Sequence, residues 1–365
     1  MVPSPYTKTR FVQELAIGTE VAELFLIGTA QQLQAKNGPY WRLEFRDTTG
    51  SIGGKIWSPQ SAAYPSLAPG QIVLLQGRVG SYREVPELTI DSLDILTDEQ
   101  VAALDLSLFM RASRQKPQDM LEELQDVCRK NMPHKPWRKF AQLVLTHDEI
   151  APALLTAPAA KAMHHAYTGG LLEHTLSVCK LSLRLAEQYP QLDKQVLLAG
   201  ALCHDLGKLW ELSGGLAIDY TQEGRLIGHI SQGLERLTPL MRKAGLEPEL
   251  VEHLQHLILS HHGTLEFGSP RLPATAEAIM LHYADNIDAK MQQVETALAD
   301  LPQDESGWSG YVPSLERALF RAKPSPQPAP KAPAKASAQA SAEKKQDTPT
   351  HPLPQVSQCS LLLKE

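Results

Sequence analysis

The chain has 365 residues, 42% of them hydrophobic, and a formal net charge of −6. That length suggests two compact domains with sizeable cores, and the acidic balance excludes a surface that attracts polyanions everywhere, so any nucleic-acid site must be local. The four cysteines, Cys128, Cys179, Cys203 and Cys359, form no CxxC pair and fit neither a disulfide framework nor a zinc knuckle. MVPSPYTKTR leads into no apolar signal region, and no run is long enough to span a bilayer. A cytoplasmic protein with no membrane partner is expected.

Residues 1–18 read as a lead-in. Residues 19–97 read as five short strands, Val21–Gln31, Tyr40–Asp47, Ser51–Trp57, Gln71–Val79 and Val85–Leu96, separated by turn signals such as Lys36-Asn37-Gly38-Pro39 and Thr48-Thr49-Gly50. The second strand alternates cleanly, with Trp41, Leu43 and Phe45 on one face and Tyr40, Arg42, Glu44 and Arg46 on the other. Five strands with this loop pattern resemble an OB-fold, whose strong curvature accounts for Gly53 and Gly54 in strand three. OB-folds often hold single-stranded nucleic acid on strands two and three, by stacking bases on aromatics and attracting phosphates with Arg or Lys. The candidate contacts are Tyr40, Arg42, Arg46, Lys55 and Trp57, with Lys36 and Arg83 on flanking loops. An ordinary solvated face explains the same charges.

Residues 98–118 read as a linker. Residues 119–321 read as nearly all helical, beginning with amphipathic helices over Asp119–Lys130 and Trp137–His147. The final 44 residues, 322–365, are Pro-, Ala-, Ser- and Lys-rich and cannot bury enough apolar surface to order themselves. Their closing CSLLLKE is apolar enough to dock, although chance composition explains it too.

The chemistry centres on Leu197–Trp210, LLAGALCHDLGKLW, which reads as a buried helix carrying His204 and Asp205 side by side. An imidazole beside a carboxylate in an apolar core is costly unless paired. A metal ion is an economical partner for both. Other candidates fall on separate helices: His174 after Gly169-Gly170, His229 after Gly228, His261-His262 at a helix end, and Asp285 on the next helix. Five histidines and two aspartates are too many for one tetrahedral site and suit two ions bridged by a carboxylate. His134, His147, His253, His256, His282 and His351 read as surface or packing residues. Asp288, one helical turn past Asp285, fits either an outer hydrogen-bond partner or an exposed charge.

The order H…HD…H…HH…D, with HDLGK at its centre, resembles the HD-domain metal-dependent phosphohydrolases. Together with the strands in front and the GGLLEHT segment, it most resembles the YhaM-type 3′→5′ exoribonucleases, over roughly residues 20–320. The resemblance implies a multidomain chain: an N-terminal all-β OB-fold barrel, an all-α HD domain and a disordered C-terminal tail. It implies that His174, His204, Asp205 and Asp285 hold one metal. Asp205 would bridge to a second, completed by His229, His261 and His262. Asp205 and Lys208 are the candidate catalytic residues, with Lys208 directing a cation at the scissile phosphate. A third metal in some relatives uses a Glu where this chain has Gly170. His164 and His165 match a family His pair; His165 is a candidate substrate contact, and local packing explains it equally well. The implied cofactors are two divalent ions, with manganese preferred over iron or magnesium.

The expected reaction is hydrolysis of single-stranded RNA, or DNA, by a metal-bridging hydroxide attacking phosphorus in line and releasing nucleoside 5′-monophosphates. A homo-oligomer is in keeping with the family. The competing readings are a nucleotide or cyclic-dinucleotide phosphohydrolase, and a non-catalytic RNA-binding protein with a structural HD site. Gly263-Thr264-Leu265 after the His pair lacks the GYP signature of cyclic-dinucleotide enzymes.

Overall fold

The computed structural model describes residues 7–82, 85–110, 113, 115–161, 167–299, 301–302 and 305–325. The predicted tail beyond residue 325 and the candidates Arg83, His164 and His165 lie outside the described residues. The alternating segments form β1 (Glu20–Ala35), β2 (Gly38–Asp47), β3 (Gly50–Ile56), β4 (Ile72–Tyr82) and β5 (Val85–Ile95). They close into a barrel in the order β1-β2-β3-β5-β4, with β3 and β5 parallel. Strand β1 is long enough to serve two neighbours: Glu20–Leu26 pairs with β4 and Leu26–Ala35 with β2. The register shift between Ile27 and Thr29 bends it from one to the other.

The expected inward set of β2, Trp41, Leu43 and Phe45, is buried with Phe25, Ile52 and Ile56. Gly54 belongs to this interior. A Cβ there would lie 3.0 Å from the Phe45 ring and 3.1 Å from Ile90, so close packing requires the glycine. At Gly53 a Cβ would meet nothing within 4 Å, so close packing does not require that glycine.

The described part of the lead-in is built into the barrel. Lys8 is buried, with Nζ 2.8 Å from Leu24 O and 3.1 Å from Asp47 Oδ2, and it lies 4.2 Å from the Phe25 ring centroid. Asp47 also accepts from Val12 N at 2.7 Å, and Glu23 Oε2 accepts from Thr9 N at 2.8 Å and Arg10 N at 2.7 Å. Leu15 is buried in the barrel core with Val12 packed against it, and polar residues that a hydrophobicity pattern does not report carry the rest of the docking. The linker is likewise structured, as α1 (Asp98–Ala102) and a 3₁₀ turn at Leu106–Leu108. Phe109 packs with Leu24, Leu26, Ile72 and Leu96 on the barrel's outer wall, where Leu216 from the helical region joins them.

The helical region contains α2 (Pro117–Asn131), α3 (Lys135–Leu145), α4 (Ile150–Leu154), α5 (Gly170–Gln188), α6 (Lys194–Cys203), α7 (Lys208–Glu211), α8 (Gln222–Ile227), α9 (His229–Ala244), α10 (Pro248–Ser260) and α11 (Ala276–Leu298). Helix α6 is buried along Val196–Cys203 and forms the centre of the core, as an all-round apolar helix must. Helix is not continuous to Phe320 as expected. After α11, β6 (Gly307–Val312) and β7 (Arg317–Arg321) make a hairpin. The Arg321 guanidinium holds it against α11 by donating to Leu298 O and Leu301 O. Glycines and aromatics in this stretch fit no apolar helical period, so its strand character had only a weak signal.

Lys8→Met removes one partner of a buried ion pair and leaves Asp47 uncompensated. It is expected to destabilise the barrel by about 3 kcal/mol, read from the urea midpoint of the barrel transition. A change within about 0.5 kcal/mol would show that the lead-in does not hold the barrel.

Candidate metal centre and nucleic-acid face

Five elements deliver the predicted metal ligands to one place. His174 lies on α5, His229 opens α9, His261 and His262 follow the last turn of α10, and Asp285 lies on α11. His204 and Asp205 are not inside a continuous helix: α6 stops at Cys203 and the pair sits in the turn before α7. That break lets Asp205 turn its carboxylate across the cluster.

Asp205 divides the site in two. Its Oδ2 lies 3.5 Å from both His174 Nε2 and His204 Nε2, and its Oδ1 lies 3.5 Å from both His229 Nε2 and His261 Nε2. On the first side, Asp285 Oδ1 is 3.2 Å from His174 Nε2 and 3.9 Å from His204 Nε2. On the second, the His262 ring lies 4.3 Å from the His261 ring and 5.1 Å from the His229 ring, centroid to centroid. The ligand atoms of Asp205, His229, His261 and His262 lie within 4.8 Å of one another, as do those of His174, His204 and Asp285. Atoms each about 2.1 Å from a shared cation are separated by about 3–4 Å, so these spacings fit coordination rather than direct hydrogen bonding.

The tautomers agree. His204 Nδ1 donates to Ala201 O at 3.0 Å, His261 Nδ1 to Ile258 O at 2.7 Å and His262 Nδ1 to Phe267 O at 2.7 Å. His174 Nδ1 donates to Asp288 Oδ2 at 2.7 Å, and His229 Nδ1 to Glu211 Oε1 at 3.1 Å. With Nδ1 tied back, each Nε2 lone pair turns toward the cluster, the usual arrangement for a ligating histidine. Asp205 Oδ1, His229 Nε2 and His261 Nε2 are buried without a hydrogen-bond partner, and a divalent cation is the group that satisfies all three.

Charge points the same way. Burial pushes the His204 and His262 imidazoles down to about 4, assisted at His262 by its neighbours His261 and His229, so both are neutral at pH 7, the form a metal ligand requires. Burial also opposes charge on His174, but the adjacent carboxylates of Asp205, Asp285 and Asp288 outweigh it and raise that group well above its ordinary value. The pocket thus favours positive charge where His174, His204 and Asp285 meet. Burial disfavours ionised Asp205, yet Lys208 and His204 hold its carboxyl well below the usual range.

Three supporting residues went unassigned or ambiguous in the sequence. Glu211 Oε1 accepts from both His229 N at 3.0 Å and His229 Nδ1 at 3.1 Å. Asp288 is the outer partner of His174 rather than a loose helix charge. His282, expected to be a surface or packing residue, places Nδ1 3.0 Å from His261 O and so steadies the backbone of that candidate ligand. Gly207 of HDLGK is also explained. A Cβ there would lie 1.8 Å from His229 O, so any side chain would push α9 and its first residue away. Lys208 Nζ lies 2.6 Å from Asp205 Oδ2. Tyr167 holds Glu173 at 2.9 Å, and Gly170 begins α5.

On the barrel, Tyr40 and Trp57 stack with ring centroids 4.5 Å apart, and Arg42 lies opposite Lys55 across the β2–β3 ladder. Lys36 is exposed beside them. Two of the expected cations are engaged: Arg46 with Glu44, and Lys55 with Glu87 at 2.7 Å. Tyr82, missed in the sequence because it follows a turn glycine, is exposed with Lys55 Nζ 4.5 Å from its ring centroid. It extends the aromatic face.

A family model described as HD domain matches residues 171–290, and one described as putative helicase matches residues 102–193. With its ligands gathered around His204-Asp205, the helical region is an HD domain behind a small closed barrel. A 3′-5′ exoribonuclease YhaM of Halalkalibacterium halodurans is 38% identical over 286 residues, covering 77% of this chain and 87% of that protein. Another from Shouchella clausii is 38% identical over 313 residues, covering 85% and 95%. The second OB-fold domain of replication protein A from Methanococcus maripaludis, a solved structure, aligns with 25% of this chain and 95% of its own at 21% identity and a TM-score of 0.21. The chain belongs to the YhaM 3′-5′ exoribonuclease family.

Glu211→Ala is expected to weaken the affinity of the second metal about 10–100-fold while leaving the first unchanged, as read by titrating manganese into the apoprotein. Equal affinities in variant and parent would remove Glu211 from the site.

Proposed function

We propose that this protein is a metal-dependent 3′→5′ exoribonuclease that shortens single-stranded RNA to nucleoside 5′-monophosphates. The observation that carries this reading is the Asp205 carboxylate, with one oxygen facing each of two imidazole groups in a member of this family. His174, His204, Asp205 and Asp285 would hold one divalent ion, and Asp205, His229, His261 and His262 the other. Manganese suits the mixed nitrogen and oxygen donors, with iron and magnesium as alternatives. Bound there, two cations lower the pKa of water and neutralise charge as it builds on phosphorus.

The protein's own groups prepare that chemistry. Lys208 keeps Asp205 ionised and would set a cation beside a phosphate bound at the two groups. Tyr40, Arg42, Lys55, Trp57 and Tyr82 offer stacking surface and charge for single-stranded RNA, or DNA, on the barrel. A grip remote from the cut lowers KM without speeding the chemical step. Residues 19–97 would form the strand-holding domain and 119–321 the cleaving one. No helix among the described residues is long and apolar enough to cross a membrane, in keeping with a cytoplasmic enzyme.

On a 5′-labelled RNA ladder with manganese, the protein is expected to shorten the strand stepwise, and EDTA to stop it. Retention without shortening would mean a binding protein instead. Asp205→Ala should abolish turnover and keep strand binding, while Arg42→Ala with Lys55→Ala should raise KM for long RNA more than for dinucleotides.

Ile279, Tyr283, Ile287 and Met291 form an exposed apolar stripe along α11. An exposed apolar stripe of this kind supports the reading of a homo-oligomer that buries it. Ile287→Asp should then lower the mass measured by light scattering, and an unchanged mass would place the contact elsewhere.

A further inference from the structure

The loop after the His261-His262 pair carries an aromatic side chain that the metal centre does not use. Leu265–Phe267 is a single 3₁₀ turn, closed by Gly268 in the left-handed region at φ 86°. Phe267 N and Ser269 N both donate to Thr264 O, at 3.3 and 3.2 Å. Ser269 is buried, with its hydroxyl 3.0 Å from Leu259 O and 2.8 Å from Arg271 O, which pins the turn to the end of α10. The Phe267 carbonyl accepts from His262 Nδ1 at 2.7 Å, so the turn is fixed directly to a ligand of the second group. Across the imidazole, that carbonyl lies about 7 Å from a cation held at His262 Nε2.

On this rigid turn, Leu265 is 59% exposed and Phe267 is 68% exposed. Among the described residues Phe267 stacks on no other ring. A turn anchored through its backbone to His262 that holds a large apolar ring in water calls for a ligand with both an anionic and an apolar flat part. A nucleotide has both. With its phosphate held at the two groups, the attached base would lie within the reach of one side chain.

We propose that Phe267 is a substrate-binding residue: its ring stacks on the base of the 3′-terminal nucleotide and Leu265 flanks that contact. The inference rests on the exoribonuclease reading and adds the subsite that receives the end of the strand. Stacking accepts every base because each has a π-face, so the subsite grips the terminal nucleotide without choosing its sequence.

The test is a cycle between protein and substrate. Full-length enzyme with manganese acts on a short oligoadenylate, either intact or with an abasic 3′-terminal ribose. Phe267→Ala is expected to raise KM about tenfold on intact RNA with little change in kcat, and Phe267→Trp to restore KM. The parent enzyme is expected to lose a similar factor on the abasic substrate, on which Phe267→Ala loses nothing more. The metal content and oligomeric mass of Phe267→Ala should match the parent, since only a backbone carbonyl meets His262. Unchanged KM on intact RNA, multiplying losses on the abasic substrate, or loss of metal or altered mass in Phe267→Ala would each overturn the subsite. A parent enzyme that leaves RNA uncut would overturn the exoribonuclease reading as well; a parent that cuts RNA without any dependence on Phe267 would overturn the subsite alone.

Discussion

One buried carboxylate sets the terms for the helical domain. Asp205 presents its two oxygens to two groups of imidazole nitrogens, each 3.5 Å away. Four imidazoles and a carboxylate this deep in a core would be an expensive set of unsatisfied groups unless a cation joined them. The surrounding structure serves that arrangement. Helix α6 stops one residue before His204, Gly207 lets α9 begin against the HDLGK turn, and backbone carbonyls or carboxylates fix the ring of every ligand histidine.

The barrel, proposed to hold the strand, and the helical domain, proposed to cut it, are not merely strung together. Leu216, in the loop between α7 and α8, joins the apolar cluster on the barrel's outer wall, and a Cβ added to Gly70 would lie 2.7 Å from Ala217. That same loop leaves α7 just after Glu211, the residue that clamps His229. The barrel's candidate ligand face is partly self-neutralised by Glu44 and Glu87, so on the proposed function aromatic stacking by Tyr40, Trp57 and Tyr82 would carry more of the grip than a count of basic residues suggests.

The sequence made the candidate metal site legible because coordination chemistry restricts the residue types and because HDLGK is a dense local signal. All seven expected ligands fall in the two groups around Asp205. The strands were legible through alternation, which held on β2 residue by residue. What stayed hidden was set by contacts between distant segments. Glu211 looks like any helix-end acid until α9 is brought against it, and Lys8 looks like a solvated lead-in charge until Asp47 and Leu24 enclose it. The break after Cys203 was hidden for another reason: an apolar run continues across it, and periodicity alone cannot report a turn made to aim a side chain.

The most direct test is anomalous diffraction at the manganese edge from crystals of the protein grown with that ion. Two peaks about 3.5–4 Å apart are expected, one on each side of the Asp205 carboxylate, the first among His174, His204 and Asp285 and the second among His229, His261 and His262. A single peak, or peaks away from Asp205 with these histidines uncoordinated, would contradict the dinuclear centre on which the account stands.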